Sequence, residues 1–457
     1  MKEKIPEEVK KIYIDLEENG FEVFLVGGCV RNLLMNIPVK DWDLTTSAKP
    51  EEITKLFPDS FYNNDFGTVG IPFNKDSVVE ITTYRTEMGF SNKRHPDKIS
   101  WGKTIEEDLS RRDFTMNAIA LKINNDNLEF LDPYNGQEDI KKRIIRCVGN
   151  PKERFKEDAL RLMRGVRLAS QLGFDIEEAT GKELKADSAL IKEISNERIR
   201  DELLKILVSS DSVKGITLLK ESGILEYILP ELLEGVGVSQ VRPGRHHTTD
   251  VYTHNVMAMK LCPSTNPMVK FAALLHDAGK PRAEGKDKDE LVIFYNHEIT
   301  GAKLAYEVCK RLRFSKKDTD KVVSLIRWHM FSVNENLSDA GVRRFIRRIG
   351  IENVADMMDL RIGDRLGGGT QTAESWRLKK FKERVAGELA PKPFNINDLA
   401  VDGNDIMKEL NLKPGPKIGE ILEILFLEVD EDMSKNNRNY LLQRINELSK
   451  SKNKTKK

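Results

Sequence analysis

Two aspartates one residue apart, in "FLVGGCVRNLLMNIPVKDWDLTT" (24–46), are of a type and spacing that could do chemistry. On a strand, side chains two apart share a face, so Asp41 and Asp43 would stand together while Trp42 and Leu44 turn to the core. Neighbouring carboxylates repel unless a cation lies between them, and oxygen ligands favour Mg²⁺. Two such ions about 3.5–4 Å apart would stabilise the attacking and leaving oxygens of an in-line phosphoryl displacement. Gly27 and Gly28 suit the same chemistry, because a strand-to-helix turn without side chains lets backbone N–H groups approach phosphate. Arg31, on the helix that follows, could clamp phosphate oxygens bidentately. A lone Asp-x-Asp is more often a solvated strand end, but the glycine pair and Arg31 beside it favour the chemical reading. Glu80, in "VVEIT", is either a third acidic group or an edge-strand carboxylate.

A second stretch, "EDALRLMRGVRLASQLGF" (157–174), reads as helix. Phe155, Leu162, Met163, Val166 and Ala169 can form an apolar stripe, with Asp158 and Arg161 as i,i+3 neighbours off it. Arg164 and Arg167 continue at three-residue steps. An aspartate beside an arginine offers one acceptor next to one donor. Cytosine and adenine present an amino donor beside a ring-nitrogen acceptor, whereas uracil and guanine present the reverse. A fixed Asp158/Arg161 pair would accept C and A and reject U and G, by up to about 10⁴–10⁵ where the wrong partner leaves buried polar groups unpaired. The alternative is a surface ion pair worth a few tenths of a kcal/mol.

A third set is made of histidines, six of the seven falling between His246 and His329. His276-Asp277 follows an apolar helix and stands among His254, His297, His329 and Asp364. Neutral imidazole with carboxylate suits Mn, Fe, Co, Ni or Zn better than Mg, and a bound metal could activate water against a phosphate ester. His246 and His247 are candidates for outer support of such a site or for the fold.

The elements that must position these groups can be read coarsely. Through residue 130, apolar β-rich runs alternate with short helical segments, a mixed α/β unit. From 137 to 240 the pattern is helical, and from 366 to 445 it is helical again, with an interruption at "NLKPGPKIGE" and a basic end beyond. With 457 residues, 39% of them apolar, roughly three domains of about 150 residues could each build a core. No apolar run approaches the roughly 20 residues of a membrane helix, and the charged N-terminus lacks a signal-peptide core. Four cysteines without paired spacing suit a reducing cytosol. The net charge is only +1, so a polyanion must be met by local clusters such as 161–167 and 343–348.

In order, these stretches resemble the class II CCA-adding tRNA nucleotidyltransferases and bacterial poly(A) polymerases. The 24–46 stretch is similar to their first motif, with Asn32 standing where that family usually carries aspartate. "RRDFTMNAIA" (111–120) resembles the second motif, which implies Arg112 on the triphosphate and Asp113 on a ribose hydroxyl. "DPYNGQEDI" (132–140) resembles the third, a hinge, and 157–174 the fourth, the nucleobase-recognition motif. "SNERIRDELLKIL" (195–207) resembles the fifth, with Glu197 and Arg198 bracing the neck, and 87–103 corresponds to a flexible loop linked to the switch from C to A. The histidine segment resembles the HD phosphohydrolase domain, in which His254, His276, Asp277 and Asp364 would hold metal, with His297 and His329 as further ligands. The end of the chain resembles the C-terminal element of Bacillus-type enzymes, where Gly415-Pro416-Lys417 could bind an RNA phosphate or simply start a helix.

The resemblance implies an α+β protein with a small mixed α/β nucleotidyltransferase head (1–140), a helical neck (141–240), an HD domain (241–366) and a helical, RNA-binding tail (367–457). It implies addition or repair of the 3′-terminal CCA of tRNA from CTP and ATP, with release of pyrophosphate. Asp41 and Asp43 would hold Mg²⁺. Gly27, Gly28, Arg31, Arg112, Asp113, Asp158, Arg161, Arg164 and Arg167 would hold the nucleotide. Acceptor stem and 3′ end of tRNA are the expected partners, in the cytoplasm, with no membrane and no protein partner. Rivals are an A-adding or CC-adding enzyme or a poly(A) polymerase, although 57–73 lacks the Gly-basic-basic-Phe marker of that last branch. A rival of another class is an HD-type metal phosphohydrolase with an RNA-binding head.

Overall fold

The computed structural model describes residues 2–63, 67–74, 77–88, 98–124, 127–240, 249–333, 337–389 and 395–452. His246, His247, the centre of the 87–103 loop and the last residues of the basic end lie outside the described residues.

The head is built on β1 (Val23–Val26), whose four residues are all buried, so it must be covered on both faces. Helix α1 (Glu7–Glu18) covers one face with Val9, Ile12, Tyr13 and Leu16, at helical spacing. The Tyr13 hydroxyl pins the packing by donating to Val23 O at 2.9 Å and accepting from Ile123 N at 3.0 Å. After β1 the chain turns at Gly27 into α2 (Gly28–Leu34) and returns as β2 (Trp42–Thr46). Helix α3 (Pro50–Leu56) and strands β3 (Phe61–Asn63), β4 (Thr68–Asn74) and β5 (Ser77–Thr83) follow. A side hairpin, β6 (Arg85–Met88) with β7 (Lys98–Trp101), and α4 (Ile105–Ser110) precede β8 (Ala120–Asn124), β9 (Asn127–Leu131) and α5 (Gly136–Lys142).

The main sheet runs in the order β3-β4-β5-β2-β1-β8-β9. Strand β2 pairs antiparallel with β1, setting Leu25 opposite Leu44, and parallel with β5, setting Asp43 opposite Glu80. Trp42 and Leu44 are buried as expected. Asp41 differs from the expectation: it sits in the bend just before β2 rather than on the strand.

The neck comprises α6 (Pro151–Glu157), α7 (Leu160–Leu172), α8 (Glu178–Ala186), α9 (Asn196–Leu207), α10 (Ser212–Glu221), α11 (Leu225–Ile228) and α12 (Pro230–Leu233). Residues 157–174 are therefore not one helix. The chain breaks at Asp158, whose backbone is extended at φ −142°, ψ 103°. The Asp158 side chain explains the restart, because its Oδ1 accepts from Leu160 N at 3.0 Å and so satisfies a donor at the start of α7. The stripe of Phe155, Leu162, Met163, Val166 and Ala169 is fully buried.

Helices α13 (Val251–Leu261), α14 (Pro267–Leu275), α15 (His297–Arg311), α16 (Lys316–Trp328), α17 (Asp339–Ile349) and α18 (Val354–Gly367) come next. They share one apolar cluster with the neck and with α19 (Trp376–Leu389), whereas the head has its own clusters. A separate core joins α20 (Gly403–Leu410), α21 (Pro416–Glu431) and α22 (Arg438–Lys452). All four cysteines are buried and unpaired by disulfides, and among the described residues no helix is long and apolar enough to cross a membrane.

The tail is fastened to α17 by one buried carboxylate. Asp430, with no exposed surface, accepts from Arg343 Nε at 2.7 Å and from Arg347 Nη1 and Nη2 at 3.0 and 2.5 Å, and Arg343 also donates to the Asp430 carbonyl. Burial alone would raise the Asp430 carboxyl, but Arg347 and Arg343 hold it below its ordinary value. A depressed folded value means that the clamp is at full strength above the unfolded carboxylate's pKa of about 3.9 and is lost as pH falls below it. Asp430→Ala strands two arginines against the tail, a change expected to cost about 3 kcal/mol after allowance for their partial exposure. Urea unfolding at pH 7 and pH 3 tests this: the wild-type advantage should be present at pH 7 and reduced at pH 3.

Candidate functional site

The Gly27 turn gathers the groups expected of a phosphate site. Gly27 takes φ +75°, a conformation disfavoured for other residues. A Cβ there would lie 3.1 Å from Arg112 Nη1 and 3.3 Å from Asp43 Oδ2, so a side chain would also press on both charged ends. Arg112 and Asp43 thus meet on one side of the turn, with Glu80 opposite Asp43 across the parallel ladder. Burial pushes the Asp43 carboxyl up to about 6, opposed by Arg112 and Arg31 and reinforced by Glu80 and Asp41. Asp41 and Glu80 are exposed, leaving the acidic group open to solvent on one side. A cluster of oxygen donors whose buried member resists ionising is a fit to a hard divalent cation.

Arg31, on α2, lies along the same turn, its Nη2 3.6 Å from where a Cβ on Gly28 would be. Its Nε and Nη2 donate to Asn32 Oδ1 at 3.2 and 2.9 Å, and its Nη1 donates to Asn117 Oδ1 at 2.6 Å. Burial holds the Arg31 guanidinium below its ordinary value.

Asp113 is not the free acceptor that the sequence led us to expect. Its Oδ1 accepts from Phe114 N at 2.8 Å and Asn117 Nδ2 at 3.0 Å, and its Oδ2 accepts from Arg164 Nε and Nη2 at 2.8 and 2.5 Å. A carboxylate has about four acceptor positions, so all are taken and none remains for a ribose hydroxyl in this conformation. Burial would raise this carboxyl, yet Arg164 and Asn117 hold it well below the usual range. The pair joins head to neck, and it uses Arg164, which was expected on phosphate.

The other neck arginines are also braced. Arg167 donates to Glu202 Oε2 at 2.6 Å and Gln171 Oε1 at 2.8 Å. Arg161 is 8% exposed and does not pair with Asp158. It donates to Glu157 Oε2 at 2.7 Å, to Arg154 O at 3.1 Å and, across to the head, to Arg111 O at 2.7 Å. Asp158 is held instead by Arg198, at 2.8 Å through Nη2. Acceptor and donor therefore share one turn, with Arg161 N on Asp158 O at 3.0 Å, and each side chain has its own support. Sequence reasoning missed Glu157, Asn117 and Asp108. Asp108 is fully buried and pairs with both Arg111 and Arg112, at 2.7 and 3.0 Å. Signals for Glu157 and Asp108 existed in "EDALR" and "EEDLSRR", where an acidic residue stands three or four positions before an arginine, whereas Asn117 holds Arg31 from 86 positions away and has no local signal.

A second group lies among α13, α14, α15 and α18. His254 Nε2 and His276 Nε2 are 3.1 Å apart. Asp277 Oδ2 lies 3.3 and 3.4 Å from them, and Asp364 Oδ1 3.3 and 3.5 Å. On its other side Asp277 Oδ1 faces His297 Nε2 at 3.2 Å and His329 Nε2 at 3.6 Å. His276, His297 and His329 each set Nδ1 on a backbone carbonyl, Ala273 O, Phe294 O and Ile326 O, at 2.7–2.8 Å. That contact selects the tautomer with Nδ1 protonated and Nε2 free to donate a lone pair. Burial opposes the Asp277 charge, but Lys280 and His276 hold its carboxyl well below the usual range.

Close helix packing makes this cluster possible. A Cβ on Gly363 would meet Ala258 O at 2.5 Å, which is how α18 brings Asp364 to His254 on α13. A Cβ on Gly279 would meet His297 O at 2.3 Å, which brings α15 against Asp277. Lone-pair donors about 3.0–3.6 Å apart are spaced as ligands around a common ion with bonds near 2.1 Å, so His254, His276 and Asp277 fit one metal, with Asp364 Oδ1 beside both imidazoles, and Asp277, His297 and His329 fit another. The six residues that the sequence nominated are brought together. A cavity of 480 Å³ opens beside them, lined also by Lys280, Phe294, Tyr295 and Arg361.

Comparison with known proteins agrees with the head and extends to the whole chain. Residues 23–146 match the poly(A) polymerase head domain, 173–235 the probable RNA and SrmB-binding site of polymerase A, and 291–445 the putative second domain of tRNA nucleotidyltransferase. The CCA-adding enzyme of Limosilactobacillus reuteri is 30% identical over 450 residues, covering 97% of each chain. An A-adding tRNA nucleotidyltransferase of Deinococcus radiodurans is 35% identical over 417 residues, covering 88% of this chain and 90% of that one. The fold is like that of the Bacillus stearothermophilus CCA-adding enzyme solved with CTP, with a TM-score of 0.69 over 98% of each chain at 24% identity. Likeness along nearly the full length of such relatives, on top of a matching head, places the chain in the tRNA nucleotidyltransferase family that includes the CCA-adding enzymes.

Proposed function

We propose that the chain is a template-independent tRNA nucleotidyltransferase that adds or repairs the 3′-terminal CCA using CTP and ATP and releases pyrophosphate. The observation that carries this reading is the acidic group of Asp41, Asp43 and Glu80 against the Gly27 turn, with Arg112 beside Asp43 at the same glycine. In the reaction the 3′-hydroxyl of the tRNA attacks the α-phosphate of the nucleotide, and pyrophosphate leaves. Asp41 and Asp43 would hold Mg²⁺, with Glu80 placed to assist; when bound, the ion supplies charge stabilisation at the reacting phosphoryl group. Arg112 and Arg31 meet the triphosphate, and the glycine turn lets it approach the backbone.

Asp158 and Arg161 present acceptor and donor to the incoming base. Arg198 and Glu157 fix their directions, which a hydrogen-bonding template needs in order to reject the reverse pattern. Arg164 is paired with Asp113 and Arg167 with Glu202, so the first part of Arg164 is to hold the neck against the head and that of Arg167 is to tie α7 to α9. The acceptor end of tRNA would be gripped by backbone and shape, and the setting proposed is the cytoplasm.

The relatives include an A-adding enzyme, so the nucleotide assay comes first. A tRNA ending before CCA should gain two C residues with CTP alone and a complete CCA with both nucleotides. Addition of A alone, arrest after CC, or a long A tail would each replace the reading with the corresponding rival. Asp43→Asn should reduce incorporation by about 10³-fold or more, as loss of a group that stabilises transition-state charge does. Retention of activity in that variant contradicts the assigned centre.

A second reading concerns the histidine cluster and rests on four imidazole Nε2 atoms converging on Asp277 and Asp364. We propose that it holds Mn, Fe, Co, Ni or Zn rather than Mg, and that it serves phosphate-ester hydrolysis distinct from nucleotide addition. Elemental analysis after incubation with Mn²⁺ or Zn²⁺ and desalting should find one to two ions per chain, most of which His276→Ala removes. Nucleotide incorporation should survive Asp277→Ala. Equal metal content in wild type and His276→Ala would remove this reading.

A further inference from the structure

The arginines around the nucleotide site are not equivalent. Arg111 and Arg112 share Asp108, Arg161 rests on Glu157, Arg164 on Asp113, Arg167 on Glu202 and Arg198 on Asp158. In each of these pairs a carboxylate cancels much of the field that the guanidinium projects. Arg31 differs: its three hydrogen bonds go to amide oxygens, two to Asn32 and one to Asn117. Among the described residues no carboxylate forms an ion pair with it.

The amide orientations follow from chemistry. Asn117 is 8% exposed and its Nδ2 donates to the carboxylate oxygen Asp113 Oδ1 at 3.0 Å, which forces Oδ1 toward Arg31. Asn32 must likewise turn its oxygen to two N–H donors at 2.9 and 3.2 Å. An amide oxygen fixes the plane of a guanidinium as a carboxylate would, without neutralising it. With three contacts made, two of the five N–H donors remain, on a guanidinium that lies along the Gly27-Gly28 turn.

We propose that Asn32 and Asn117 are positioning residues that hold Arg31 by neutral amides, so that no directly paired carboxylate competes with the phosphates of the incoming nucleotide for it. This rests on the reading that the Gly27 turn and Asp43 bind a nucleoside triphosphate. It makes Arg31 the strongest electrostatic attachment of the triphosphate, and it makes position 32 a control point for nucleotide affinity. A carboxylate at 32 would tighten the grip on Arg31 yet weaken the hold on substrate.

The test compares wild type, Asn32→Asp and Asn32→Ala. Affinities are measured by competition against a fluorescent CTP analogue with Mg²⁺ present, for CTP, ATP, CDP, CMP and cytidine. Asn32→Asp should weaken CTP and ATP alike by about 10-fold, since a unit charge several ångströms from the phosphates acts on them at a moderate effective dielectric. The loss should shrink from CTP through CDP to CMP and vanish for cytidine, and the salt dependence of CTP binding should flatten. Asn32→Ala, which removes orientation but adds no charge, should lose less. Asn32→Asp binding CTP as tightly as wild type, or both variants losing equally for cytidine and CTP, overturns the inference. If wild type itself adds no nucleotide to tRNA, the functional reading beneath it fails; if wild type adds nucleotides and Asn32→Asp is unchanged, only this inference fails.

Discussion

The head depends on one strained electrostatic arrangement: a half-buried carboxylate, Asp43, held beside Asp41 and Glu80 where β2 and β5 run parallel. Burial is the main cost of its charge, and Glu80 and Asp41 add to it. A fold does not retain such a group by accident of packing, since a neutral residue at 43 would remove the cost. The surroundings are arranged to keep it. Gly27 leaves room for Asp43 and Arg112 together where a side chain would stand, and Trp42 and Leu44 lock the strand so that residue 43 cannot turn inward.

The neck answers the head with ion pairs whose work is mostly positional. Asp113–Arg164 spans from the second head motif to α7, and Arg161 reaches back to Arg111 O. Helix α7 is thereby tied to the head segment that carries Arg111 and Asp113. Pre-set direction is what a protein template requires, because a donor and acceptor that could swing would accept either hydrogen-bonding pattern. The histidine centre is separate from this chain of contacts. Its imidazoles are oriented by backbone carbonyls and its helices are brought together at Gly279 and Gly363.

Much of this was legible in the sequence, and the failures share a cause. Period-two alternation placed Trp42 and Leu44 in the core, and helical spacing placed Phe155, Leu162, Met163, Val166 and Ala169 there as well. The histidines and aspartates of the second centre were found from residue type and order. What spacing could not give was the partner of each charged side chain. Asp158 and Arg161 look like a pair at i,i+3, but a break at Asp158 hands it to Arg198, from a helix some 40 positions on, and hands Arg161 to Glu157. Asp113 reads as an exposed acceptor because nothing local reveals Arg164. Long-range pairing is decided by how elements dock, and a local pattern holds no record of it.

On the function proposed, Asp41 and Asp43 gather divalent metal around a bound triphosphate. Crystals grown with CTP and Mn²⁺ test it directly through anomalous scattering. The expected result is a peak within coordination distance of Asp43 and of the triphosphate oxygens, with the phosphates along Gly27 and Gly28. A triphosphate bound elsewhere, or manganese confined to the histidine centre while CTP is bound, would contradict it.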